Sequence, residues 1–197
     1  MTLQRVLAAI DAANGADPRR TSEGKPLEVD HSERMTAWVR RLNPAASDLL
    51  HIAARGQHIE RWTSPRTAYP EGRGGYLKWR EDLKQFHARR TAELMAEDGY
   101  GANEINRVAA LITKAAHRAG DPEGLVLEDA LCLVFLETQF KDLLSKTPED
   151  KMAEIIKKTW QKMSPAGRAA AQTLPLSSEE QKALSQALSN ASPGNPG

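Results

Sequence analysis

Apolar residues recur every three or four positions along most of this chain, which is the spacing of one face of an α-helix. In the stretch HSERMTAWVRRL, for example, His31, Met35, Trp38 and Leu42 fall on one helical stripe. The alternating runs of β-branched residues that are typical of strands do not occur. The pattern predicts an all-α protein, a single globular helical domain of about seven to nine helices.

Proline, glycine and helix-capping residues divide this pattern into segments. We predict a helical domain over residues 1–175, a C-terminal helix over 176–190 that begins at the capping box Ser177–Glu180, and a disordered tail over 191–197. Four of the predicted helices are long and uninterrupted, over residues 43–62, 75–98, 103–119 and 125–144.

Residues 57–87 form the most distinctive segment, because five of the ten aromatic residues of the chain fall within it. Arginines recur between these aromatics, and a loop rich in proline and glycine interrupts the helical pattern. Loops of this composition between helices often carry binding groups. The residues that we assign to ligand binding here are Arg61, Trp62, Arg66, Tyr69, Arg73, Tyr76, Trp79, Arg80 and His87.

Charge and cysteine content narrow the classes of partner and location. The chain of 197 residues has 27 Lys or Arg and 26 Asp or Glu, so we expect no binding to extended nucleic acid. Between residues 55 and 90, however, nine Lys or Arg face four Asp or Glu, which favours a small anionic ligand. The single cysteine, Cys132, excludes an internal disulfide. No apolar run approaches the roughly 20 residues that cross a bilayer, so we expect a cytoplasmic protein, not a membrane protein, that could form a homodimer.

Three polar groups lie at positions where the helical pattern points inward. His31 shares the apolar stripe of its helix, Gln57 and His58 follow small residues, and Asp129 shares a stripe with Leu133. Inward histidines near an inward carboxylate are a common ligand set for a divalent metal. Structural roles are the alternative: His31 as a core histidine hydrogen-bonded to backbone or to Glu28, and a carboxylate pair, Glu128 and Asp129, that only caps a helix.

Several sequence blocks resemble the bacterial and fungal family called domain of unknown function 4202. They are IDAAN, HSERMTAWVRRL, AARGQHIERW, PRTAYPEGRGGYLKWR, FHA and LEDALCLVFLE. The resemblance covers roughly residues 5–175, and the block from QHIERW to FHA is specific. It implies no established activity.

A wider similarity links the chain to the HD-domain phosphohydrolases, which are all-α proteins that hold a divalent metal through a first His, a His-Asp doublet and a last Asp. This resemblance implies an HD-like fold, with His31 as the first ligand and Asp129 as the last. The doublet is replaced here. Either Gln57 stands for its histidine and His58 for its aspartate, or His58 stands for the histidine and Ile59 for the aspartate.

Two functions follow as hypotheses. In the first, the protein is a metal-dependent, phosphohydrolase-like enzyme that acts on a small phosphorylated or nucleotide-like ligand. His31, His58 and Asp129 would bind Mn, Fe, Co, Ni, Zn or Mg, and the metal would activate a water molecule. The predicted catalytic residues beside them are Gln57, Glu128 and Lys114.

In the second hypothesis, the protein is a non-catalytic helical module that binds an anionic ligand, RNA or a protein partner. The aromatic and arginine-rich loop would make the contacts, and the buried polar groups would only fix helix packing. No Gly-rich phosphate loop, nucleotide fingerprint or HExxH motif is present to favour a particular enzyme class.

Overall fold

The computed structural model describes residues 2–189 and confirms the all-α class. The predicted tail over 191–197 lies outside these residues. The described residues form eleven α-helices and two short 3₁₀ helices, at Arg61–Thr63 and Arg66–Ala68. The α-helices are α1 Leu3–Gly15, α2 Leu27–Leu42, α3 Asp48–Gly56, α4 Gly72–Glu97, α5 Ala102–Ile112, α6 Ala115–Arg118, α7 Pro122–Thr138, α8 Phe140–Lys146, α9 Glu149–Lys162, α10 Pro165–Ala171 and α11 Ser178–Ser189.

The prediction of seven to nine helices was wrong because local caps and turns divide the long segments. The predicted helix over 43–62 begins only at Asp48, where the Ser47 hydroxyl accepts a hydrogen bond from the Leu50 amide at 3.1 Å. It ends at Gly56, before His58. The helix over 103–119 breaks at Lys114, whose φ is +64°, and the helix over 125–144 breaks at Gln139.

The backbone divides into two compact units, one up to Leu127 and one from Glu128. In the first unit, α3 is central and packs against α1, α2, α4 and α5. Its apolar residues Leu50, Ile52, Ala53 and Ala54 are fully buried. The small residues on this short helix let its neighbours approach closely.

The closest of these approaches is at Gly56. A Cβ atom at this position would lie 2.3 Å from the Thr91 hydroxyl oxygen and 3.0 Å from the Thr91 methyl carbon. Thr91 belongs to α4 and is completely buried, and its branched side chain has little freedom to rotate away. The lack of a side chain at Gly56 therefore sets the distance between α3 and α4.

We expect Gly56→Ala to lower the free energy of unfolding by about 1–3 kcal/mol, the usual cost of overpacking a core. The matched control is Gly74→Ala in α4, where a new Cβ would have no neighbour within 4 Å, so the variant should be as stable as the parent or slightly more stable. Urea denaturation followed by circular dichroism measures both. Equal stability of the two variants would contradict the close packing at Gly56.

The second unit contains most of α7 and the helices α8–α11, of which α8, α9 and α11 pack together. A pocket of about 700 Å³ lies among these three helices, with Leu144, Met152, Ile156 and Ala183 in its lining. The capping box at the start of α11 forms as its sequence predicts: the Ser177 amide donates to the Glu180 carboxylate at 2.8 Å, and the Glu180 amide donates to the Ser177 hydroxyl at 3.3 Å.

Candidate functional site

Three histidines from separate segments of the first unit lie side by side. His31 is in the first turns of α2, His58 follows α3, and His87 is in α4. The rings of His31 and His58 are stacked, with centroids 4.0 Å apart and an angle of 10° between planes. The His87 ring lies 5.8 Å from that of His58. These residues form what we call the histidine cluster; the structure joins His87, assigned from sequence to ligand binding, to the two predicted metal ligands.

All three imidazoles are neutral at pH 7. Burial, together with the charge of Arg61, lowers the pKa of His31 to about 4 and that of His87 to about 3. The pKa of His58 lies well below 6.5, first because of burial and then because of the neighbouring His31. Neutral rings keep one donor and one acceptor nitrogen each.

Hydrogen bonding at His87 determines which of its ring nitrogens carries the proton. Its Nδ1 lies 2.8 Å from the Ile59 carbonyl oxygen, so the Nδ1–H donates and Nε2 carries the lone pair. Among residues 2–189, no hydrogen-bond partner is found for this buried Nε2, for the Nε2 of His31 or for the Oε1 of Gln57. Unpaired buried polar atoms cost about 1–3 kcal/mol each.

A buried acid, Glu28, lies beside the cluster. Burial raises its pKa, although its Oε1 accepts a hydrogen bond from Arg19 at 2.6 Å. Arg19 also binds the fully buried Asp17, which accepts a hydrogen bond from the Glu28 amide at 3.2 Å. Glu28 Oε2 is 3.8 Å from Nδ1 of His58, too far for a hydrogen bond. From the sequence, Glu28 was predicted only as a structural partner of His31, which it precedes by three residues on the same helix face; the structure places it beside His58 as well.

Arg61 brings a positive charge to the same place. Burial lowers the pKa of its guanidinium, whereas the charge of Glu28 raises it. Among residues 2–189, no carboxylate oxygen lies within 4.0 Å of this guanidinium. The group rests instead on the ring of Trp79, 4.8 Å from its centroid, and the Trp79 indole N–H donates to the Ser64 carbonyl at 2.9 Å. Arg61 is therefore a partly buried cation without an anionic partner in the described chain.

Two residues next to this centre hold an unfavourable backbone conformation. Glu60, directly before Arg61, has φ +50°, and Lys114 has φ +64°. The charge of Lys114 contributes to the low pKa of His58, which places this predicted catalytic residue near the cluster. Non-glycine residues with positive φ are held by their surroundings at a cost of about 1–3 kcal/mol and occur often at functional sites.

In the loop after Trp62, Arg66 forms hydrogen bonds to the backbone of the loop itself. The Arg66 guanidinium donates to the carbonyl oxygens of Tyr69 at 3.0 Å and Gly72 at 3.4 Å, so it closes the loop on itself. A Cβ at Gly75 would lie 1.9 Å from the Pro70 carbonyl oxygen. This close approach of the backbone is enough to explain the glycine at that position. Arg73 is exposed.

A row of aromatic and guanidinium groups continues outward from Arg61 along α4. The Tyr76 ring lies 6.0 Å from the Trp79 ring. The Arg80 guanidinium lies 5.8 Å above Tyr76 and donates to its hydroxyl oxygen at 3.2 Å. We call Tyr76, Trp79 and Arg80 the aromatic row.

The two predicted acidic residues, Glu128 and Asp129, belong to the second unit, and both are buried. The Asp129 carboxylate accepts hydrogen bonds from the amide of Ser164 at 2.8 Å and from its hydroxyl at 2.5 Å. It also lies against Gly167 at the start of α10, where a Cβ would be 2.3 Å from its oxygen. Asp129 thus fixes the N-terminal end of α10.

Within residues 2–189, no group of three or more His, Cys, Asp or Glu side chains is placed to hold a metal ion. In the same residues no helix combines the length and the apolar character needed to cross a membrane.

Fold and site together define an all-α protein in which, among residues 2–189, neutral histidines form a partly buried centre beside an arginine that lacks a carboxylate partner. The chain belongs to the family described as Domain of unknown function (DUF4202), whose model matches residues 4–184. Comparison with curated proteins and with solved structures found no significant match.

Proposed function

We propose that the first unit binds a small anionic ligand through a phosphoryl group, at the histidine cluster and Arg61. The observation that carries this proposal is the lack of a carboxylate partner for the partly buried guanidinium of Arg61. A buried charge is normally paired. An anionic ligand would supply the missing partner, and guanidinium groups suit phosphoryl oxygens because they donate two parallel hydrogen bonds.

The surrounding groups favour a phosphoryl group over a simple carboxylate. Arg61 and Lys114 make the potential around His58 positive, which attracts an anion. The His87 Nε2 atom, however, is an acceptor. A phosphate monoanion provides both oxygens for the guanidinium and a P–OH group that can donate to His87, whereas a carboxylate or a sulfate provides no such donor.

Isothermal titration calorimetry of the full chain at pH 7 tests this proposal with inorganic phosphate, sulfate and acetate as probes. We expect saturable binding at one site, with phosphate bound more tightly than sulfate and acetate weakest. Sodium chloride at matched ionic strength is the control for screening. Failure of all three anions to saturate up to about 10 mM would contradict anion binding at this site.

A second candidate function is metal-dependent phosphohydrolysis, as the similarity to HD-domain proteins suggests. The favouring observation is that the imidazoles are neutral and that Nε2 of His31 and of His87 lack partners, since metal ligands must be deprotonated. In this candidate His31 and His58, the two predicted metal ligands of the first unit, would contribute to holding the cation. The stack of His31 on His58 would have to open, because parallel rings do not direct their nitrogens at one point. A bound divalent metal would supply a water molecule of lowered pKa.

For this candidate we expect protein purified without affinity tag or chelator to carry about one Mn, Fe, Co, Ni or Zn ion per chain by elemental analysis. The metal should raise the melting temperature by several degrees, because binding to the folded state alone adds about 2.7 kcal/mol at a hundredfold excess over Kd. His58→Gln should abolish the shift. Protein without metal, and without any shift on addition of these ions, would leave anion binding as the sole function of the site.

A further inference from the structure

We propose that the aromatic row is a stacking subsite, so that the ligand of this protein is a phosphate ester with a flat aromatic ring, and specifically a nucleoside monophosphate. This inference rests on the proposed function, in which the phosphate lies at Arg61 and the histidine cluster. It adds to that function the chemical class of the group attached to the phosphate, a flat aromatic base.

The row connects the buried phosphate site to the exterior without a gap. The Arg61 guanidinium lies 4.8 Å from the centroid of Trp79, and the Trp79 and Tyr76 rings lie 6.0 Å apart. Because both distances are measured to the Trp79 ring, the Tyr76 ring lies within reach of a ligand that extends outward from a phosphate at Arg61. A ligand held at Arg61 would therefore bring its base to Tyr76.

The outer end of the row, formed by Tyr76 and Arg80, is exposed to solvent. Tyr76 retains 41 % of its surface, and it is one of only a few exposed large hydrophobic residues in the part of the chain that the structure describes. Arg80 lies over this ring, so the outer end combines a π face with a guanidinium plane. Both groups stack on bases with little preference for sequence.

The inner end of the row is rigid. The indole N–H of Trp79 donates to the Ser64 carbonyl, and Arg61 covers one side of the ring. Helix α4 then places Tyr76 three residues before Trp79, on the same face. A rigid platform binds a flat group at a low cost in conformational entropy.

Calorimetry with AMP, ribose 5-phosphate and adenosine as probes, on the full chain at pH 7, tests this inference. We expect AMP to bind about tenfold more tightly than ribose 5-phosphate, since one stacked base contributes an effect of this order. Tyr76→Ala should reduce the ratio of the two affinities to near one and leave the affinity for ribose 5-phosphate unchanged. Tyr76→Phe should keep the ratio. Leu77→Ala, at the neighbouring exposed position of the same helix, is the matched control and should also keep it.

The outcomes separate this inference from the function on which it rests. Equal affinities of the parent protein for AMP and ribose 5-phosphate would overturn the stacking subsite and leave phosphate binding in place. An unchanged ratio in Tyr76→Ala would also overturn it. If neither phosphate ester binds, the proposed function fails as well, and tight binding of adenosine alone would contradict the anchoring role of Arg61.

Discussion

Arg61→Met is expected to weaken the binding of inorganic phosphate by about 10- to 150-fold, the loss that corresponds to charge-assisted hydrogen bonds. Methionine keeps most of the apolar stem over Trp79 and removes only the charged group. The same variant should be as stable as the parent without ligand, or more stable, because burial lowers the pKa of this guanidinium and no carboxylate of the described residues pairs with it. Weaker binding together with undiminished stability is typical of a ligand-binding residue.

Arg41→Met provides a matched control, because the Arg41 guanidinium lies 4.8 Å from the ring centroid of Trp38, the same distance as in the pair of Arg61 and Trp79. Arg41 is ten residues after His31 in the same helix, and thus about 15 Å along its axis. We expect this variant to bind phosphate as the parent does. Calorimetry and thermal denaturation measure both effects. A lower melting temperature of Arg61→Met with unchanged phosphate affinity would instead assign Arg61 a structural role.

Acid is expected to destabilise the protein well before its carboxylates are protonated. The histidine pKa is about 6.5 in the unfolded chain and falls in the folded protein to about 4 at His31 and about 3 at His87. Below pH 6.5 the histidines of the unfolded state therefore bind protons that the folded state does not bind. The free energy of unfolding falls as the pH falls. The loss from His87 alone amounts to about 4 kcal/mol by pH 3, a large part of the stability of an ordinary domain.

His87→Asn should isolate this contribution. The asparagine amide can still donate to the Ile59 carbonyl in place of Nδ1, but it does not titrate. We expect its free energy of unfolding to decline between pH 6.5 and 5 less steeply than that of the parent, by up to about 1.4 kcal/mol per pH unit. His87→Gln should show the same shallow slope with lower stability throughout, because its longer side chain misplaces the donor. Urea denaturation at each pH provides the values, and parallel curves for parent and variants would refute a buried neutral His87.

The charged groups around the cluster explain why the loss of stability between pH 6.5 and 5 comes from the histidines and not from the carboxylates. Arg61 and Lys114 oppose protonation of His58. The pKa of Glu28 is raised by burial, so this acid is protonated more easily in the folded state and stabilises it as the pH falls. The carboxyl pKa values of Asp17, despite its burial, and of Asp121, through its bond to Arg107, are lowered; their stabilising effect is lost only near and below pH 4.

Local patterns predicted the parts of the structure that depend on neighbours in sequence. The helical period led to the all-α class and to the ends of helices such as α11, where a cap and its partner are three residues apart. The boundaries failed where the chain leaves a helix without a strong local signal, as at Lys114 and Gln139. Their conformations depend on the packing of the adjoining helices, which a repeat of three or four residues does not encode.

The candidate site divides in the same way. Helical spacing singled out His31, because it lies beside apolar residues of its own helix. For Gln57 and His58 the same argument assumed a helix that ends at Gly56 in the structure. The tautomer of His87, and the lack of a carboxylate partner for Arg61 among the described residues, could not be predicted from spacing. Each of these properties is set by burial and by partners on other helices, such as Ile59 for His87 and Trp79 for Arg61.

By itself, the sequence determined that this protein is helical and predicted a candidate site around residues 57–87, since composition and periodicity are local properties. The tertiary structure decided which of those residues form one centre and in what state of charge. Proton affinity and ion pairing depend on the distance to groups far away in the chain and on the exclusion of water. The arrangement of Arg61, without a carboxylate partner among the described residues, beside three neutral histidines exists only in the folded protein.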